Sequence, residues 1–139
     1  MIWRRLQAWV LGLVGAAEVL AFPAVLLPQS SMAATHAWLG LGEMPQAPVF
    51  DSLMRQVSFT YGLHGVALLL IAADVVRYRP LVILTAVGYL VTGPVFIAID
   101  IGNGMPWYWI ANNGGACLLI GAILVALLVG EKKAGEKAQ

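Results

Sequence analysis

Charge is what this sequence has least of. Only 11% of its 139 residues are Asp, Glu, Lys or Arg, while 60% are hydrophobic and mean hydropathy is +0.84. A soluble domain carries about a quarter charged residues, so a water-covered surface is excluded and the bilayer is the first partner. Cysteine is almost missing. The single Cys117 excludes an internal disulfide and argues against a thiol redox pair or a cysteine metal cluster. The net charge of +1 is not gathered into a dense basic patch, which gives no reason to expect nucleic acid. No complete catalytic, metal or nucleotide motif occurs. No catalytic residue, metal or cofactor is therefore assigned, and the sequence leans away from an enzyme.

Long apolar runs are what it does have. A helical crossing needs ~20 mostly apolar residues, and four stretches qualify, at 6–27, 57–76, 81–99 and 111–129. The first begins like a secretion signal, with Arg4 and Arg5 ahead of it. It is long, however, holds Glu18 and Pro23, and leads into Leu26-Leu27-Pro28, so a retained helix is expected. Arg77-Tyr78-Arg79-Pro80 alone separates spans two and three, which makes them antiparallel neighbours, with Pro80 suited to a first helical turn. Seven of the eight basic residues fall at the amino terminus, in that second loop or after span four; Arg55 is the exception. By the positive-inside rule both termini are cytoplasmic. The expected fold is an all-α, up-down-up-down four-helix transmembrane bundle forming one domain over 1–139. Its outer loops cover 28–56 and 100–110, its cytoplasmic tail covers 130–139, and it belongs in a bacterial inner membrane.

Both outer loops carry interfacial features. The first includes Ser31–Leu39, expected as a short surface helix broken by Gly40 and Gly42; the third has Trp107-Tyr108-Trp109. Small residues should mediate close helix contact in lipid. Gly12, Ala16, Ala17 and Ala21 are expected to do so on span one, and Ala122, Ala126 and Gly130 on span four. A 100° wheel also groups Ser58, Tyr61, Gly62 and Gly65 on span two, and Thr85, Gly88, Tyr89, Thr92, Gly93, Phe96 and Asp100 on span three.

Ionisable groups inside spans are costly and mark candidate sites. Glu18 lies ~14 Å and His64 ~10 Å from the outer ends of their spans at 1.5 Å per residue, near enough in depth to hydrogen-bond. Asp100 is expected near the outer surface at the level of Arg55, and Tyr61 and Tyr89 offer hydroxyls in the same half. Glu18, Arg55, Tyr61, His64, Tyr89 and Asp100 thus form a candidate polar pocket opening outward. The plainer reading is a Glu18–His64 contact that only fixes two helices. Asp74 is expected to pair with surface arginines, and His36 to be an interfacial loop residue. Glu18 and His64 alone supply too few ligands for zinc.

The runs Glu18-Val-Leu-Ala-Phe-Pro, His36-Ala-Trp-Leu-Gly-Leu-Gly-Glu-Met-Pro, Tyr61-Gly-Leu-His-Gly, Asp74-Val-Val-Arg-Tyr-Arg-Pro and Gly104-Met-Pro-Trp resemble those of uncharacterised small four-helix bacterial inner-membrane proteins, loosely DoxX-like. The resemblance implies a four-helix membrane fold and no established activity. DoxX is associated with quinone-linked thiosulfate oxidation, but no motif here carries that reaction over. Three readings follow. One is binding of a small molecule, lipid or quinone in the outward pocket. Another is an accessory subunit of a membrane complex, or a homo-oligomer. The third is a DoxX-like oxidoreductase subunit.

Overall fold

The computed structural model describes residues 2–137, and every regular element among them is helical. In order these are α1 (Ile2–Val19), a 3-10 turn (Phe22–Val25), α2 (Gln29–Trp38), α3 (Pro48–Ala73), α4 (Arg79–Gly102), α5 (Trp107–Ile110), a π turn (Ala111–Gly115) and α6 (Ala116–Glu136). Four helical stretches are long and apolar enough to cross a membrane: Ile2–Val25, Pro48–Ala73, Arg79–Gly102 and Trp107–Glu136. This is an all-α, multi-pass membrane protein with the helices of a four-helix bundle. Residues 138 and 139 of the expected tail lie outside the described residues.

The helix ends follow local chemistry more closely than hydropathy does. The α-helical part of span one stops at Val19, where the chain tightens through Leu20 N–H to Ala17 O and Ala21 N–H to Glu18 O, ahead of Pro23. Span two starts at Pro48 rather than 57. Asp51, Ser52, Arg55 and Gln56 interrupt its first turns, so counting uninterrupted apolar residues starts the span too late. Proline suits a helix start, and Asp51 there complements the helix dipole and pairs with Arg55 one turn on. Span three runs on to Gly102 and the next helix begins after Pro106, leaving only 103–106 between them.

Two helices close with the same backbone device. Leu41 N–H reaches back to His36 O and Gly40 N–H to Ala37 O; Met105 N–H reaches Asp100 O and Gly104 N–H reaches Ile101 O. This paired pattern needs a left-handed residue, and Gly40 (φ 72°) and Gly104 (φ 67°) supply it.

The chain divides into two compact units. One joins the part up to Gly12 with the part from Leu70 onward; the other is Leu13–Leu69. In the Leu13–Leu69 unit, α1 and α3 run antiparallel, in contact at Gly15 and Gly65. A Cβ added at Gly65 would lie 2.6 Å from Gly15 O and 2.7 Å from Val19 N, so only glycine permits this approach. Further along, the Phe22 ring lies on Gly62 and meets Phe59 edge-on at 5.7 Å.

The other unit pairs α4 with α6, again antiparallel. A Cβ at Gly114 would lie 2.7 Å from Gly93 O, and one at Gly121 would lie 3.0 Å from Ala86 O. The contact stripe of α4 includes Val82, Ala86, Gly93 and Asp100, all buried, while Gly121, Leu124 and Leu127 are buried on α6. Several small residues expected at contacts are exposed instead: Ala16, Ala17, Gly88, Ala122 and Ala126. The stripe that touches a neighbour is narrower than the half-circumference a helical wheel assigns. On α6 it is displaced by one residue, because glycine permits closer backbone contact than alanine.

Candidate functional site

Glu18 is in the last turn of α1 and His64 is in the seventeenth position of α3, on helices that the Gly15–Gly65 contact draws together. His64 Nδ1 and Glu18 Oε2 are 2.6 Å apart. An ionised Glu18 only accepts, and in that pairing Nδ1 carries the proton and the imidazole donates. The Glu18 side chain is 15% exposed, and that of His64 is 48% exposed although it lies within an apolar helix. The dyad therefore presents its imidazole and withdraws its carboxylate. Chemically it can accept or donate a proton and orient a hydroxyl or carbonyl group.

Arg55 is spent on structure. Its Nε–H and Nη2–H donate to the two Asp51 carboxylate oxygens at 2.9 and 3.2 Å, and its Nη1–H donates to Val25 O at 2.6 Å. The guanidinium thus ties the end of the 3-10 turn to α3 and closes a carbonyl that the turn leaves open. Tyr61 stands one turn before His64 and is 41% exposed, not turned inward as the wheel suggested. Glu18, Arg55, Tyr61 and His64 share the Leu13–Leu69 unit, and within it Glu18 and His64 are brought into contact.

Tyr89 and Asp100 belong to the other unit, where Tyr89 is half-buried on α4. Asp100 is 7% exposed, and its Oδ2 accepts from Asn113 Nδ2 at 3.0 Å. Asn113 belongs to the π turn, a wider coil that places one extra residue in the helix. That insertion brings the amide to Asp100 while Gly114 stays against Gly93. Asn113 escaped the sequence reading; the signal available was Asn112-Asn113-Gly114-Gly115 interrupting an apolar span.

A second missed residue is Glu131. It accepts from Arg4 Nε–H at 2.6 Å, from Gln7 Nε2–H at 3.2 Å and from an Arg79 Nη1–H. Gln7, in the second turn of α1, is 1% exposed. In sequence Glu131 reads as one charge in a mixed tail, and Arg4 and Arg79 read as topology signals. Only the contact of three helix ends makes them a cluster. Asp74, expected in an ion pair, instead accepts the backbone N–H of Arg77 at 3.0 Å, while the Arg77 guanidinium lies 5.5 Å from the Tyr78 ring centre. His36 Nδ1 is 3.1 Å from Gly42 O and holds the first loop to α2.

Among the described residues, no three His, Cys, Asp or Glu side chains come together as a metal site. No protein-family model, curated protein or solved structure matches this chain.

Proposed function

We propose that this protein resides in the bacterial inner membrane with both termini cytoplasmic, and that the Glu18–His64 dyad receives the polar head of a small amphiphile, a lipid or a quinone. One observation carries the reading: a hydrogen-bonded imidazole–carboxylate pair lies inside an apolar span with nearly half of the His64 side chain uncovered by protein. Ionisable groups at membrane depth are expensive and need polar company. An amphiphile's head adds to what Glu18 already supplies. The amphiphile's carbonyl or hydroxyl meets the imidazole, and its tail lies along Tyr61 and Ala67, exposed one turn to either side of His64 on the same helix face.

The test is native mass spectrometry of the detergent-solubilised chain with two probes, a short-tailed naphthoquinone and phosphatidylethanolamine. One probe should stay bound to the unmodified protein and be lost from Glu18→Gln and His64→Ala variants that remain folded. Equal retention by those variants, or none by the unmodified protein, sinks the reading. A co-purifying protein chain would favour the accessory-subunit role.

A further inference from the structure

The amino-terminal turns of α1, the first residue of α4 and the last turns of α6 meet at one carboxylate, that of Glu131. The cluster is closed on its acidic side and open on its basic side. Glu131 is 13% exposed, whereas the side chains of Arg4 and Arg79 are 53% and 41% exposed. Two guanidinium groups against one carboxylate leave one positive charge uncompensated. Each guanidinium carries five N–H donors, and among the described residues each gives one to Glu131. The carboxylate thus holds two arginines in place without using up their capacity to bind an anion.

Depth is set by Trp3. Its ring lies on Gly130, where an added Cβ would be 2.7 Å away. Indole rings favour the headgroup layer, so Glu131, the next residue after Gly130, lies at that level. Ile83, one turn after Arg79 on the same face of α4, is 45% exposed and gives the opening an apolar flank. Arg5 and Arg77, both exposed, add positive charge nearby in the chain, while Lys132 is paired with Glu136. The neighbouring acid, Asp74, is engaged by the Arg77 backbone.

We infer that Arg4 and Arg79, held by Glu131 and Gln7, bind the phosphate of an anionic phospholipid in the leaflet at this end of the spans. Paired planar guanidiniums match phosphate oxygens better than isolated ammonium groups do. The apolar flank at Ile83 and the interfacial indole favour a lipid over a dissolved phosphate.

The experiment measures retention of phosphatidylglycerol against phosphatidylcholine of identical tails by native mass spectrometry of the full chain. Phosphatidylglycerol should be retained preferentially. Arg4→Gln with Arg79→Gln should weaken it by about five-fold per arginine, the usual worth of one basic residue at an anionic surface. Equal retention of the two lipids by the unmodified protein overturns the inference. So does unchanged preference in the folded double variant. Displacement by millimolar inorganic phosphate would reassign the cluster to a free anion and overturn the lipid.

Discussion

His64 and Glu18 differ in how much surface each leaves uncovered, which makes the imidazole the side of the dyad that meets other molecules. Their mutual dependence can be measured directly. Interhelical polar contacts in membranes average ~0.6 kcal/mol in double-mutant cycles and reach about 1.7. Glu18→Gln and His64→Ala, alone and together, should therefore show a coupling in that range when unfolding is followed in detergent. Additivity within about 0.3 kcal/mol would mean two independent sites. Asp74 is a second residue whose task the structure redefines. As an acceptor for the Arg77 N–H it works through one oxygen and needs no charge. Asp74→Asn should keep the turn nearly unchanged, while Asp74→Ala should cost about 0.5–1 kcal/mol. Equal losses in both variants would point back to the charge.

Helix pairs in this protein are set by glycines at crossings, and two of these crossings have a polar contact within one turn. Gly15–Gly65 adjoins Glu18–His64, and Gly114 follows directly after Asn113, the partner of Asp100. Close backbones shorten the reach a side chain needs, so the same glycines that pack the helices also build the polar pairs. Gly65→Ala should destabilise by about 1–3 kcal/mol, because its Cβ meets the Gly15 carbonyl and forces the helices apart. Gly88→Ala is the control: nothing lies within 4 Å of its added Cβ, and relief of backbone entropy should leave the protein equal or more stable by about 0.4–1 kcal/mol. Thermal unfolding of the two variants in one detergent separates these outcomes. A milder effect at Gly65 than at Gly88 would refute the crossing.

At the scale of the whole molecule, the meeting of Arg4, Arg79 and Glu131 requires that the start of α1, the start of α4 and the end of α6 lie on one side. Which side is a matter for labelling. With Cys117→Ala as background, a cysteine introduced by Glu43→Cys should react with an impermeant maleimide on intact spheroplasts. One introduced by Gly135→Cys should react only after lysis. The reverse pattern would invert the orientation and place the Glu131 cluster outside.

Hydropathy by itself determined that this chain is helical, crosses a membrane and does so four times, because lipid demands some twenty apolar residues wherever the backbone passes. Turn chemistry was equally readable at Gly40 and Pro80, where local φ preferences act without help from distant residues. Ion chemistry inside the spans was readable in part. Glu18 and His64 could be matched because few ionisable groups occur there and depth follows from counting. The start of α3 at Pro48 was hidden because Asp51, Ser52, Arg55 and Gln56 interrupt its apolar run, and the inward stripe of each helix was hidden because rotation about the helix axis leaves no trace in residue spacing. Only tertiary structure decided that Gly15, not Ala16, faces α3, that Asp100 meets Asn113 through a π turn, and that Glu131 gathers one arginine from the start of the sequence and one from its middle. Those contacts join residues far apart in the chain through close backbone approach, and the distance between two backbones is a property of the fold.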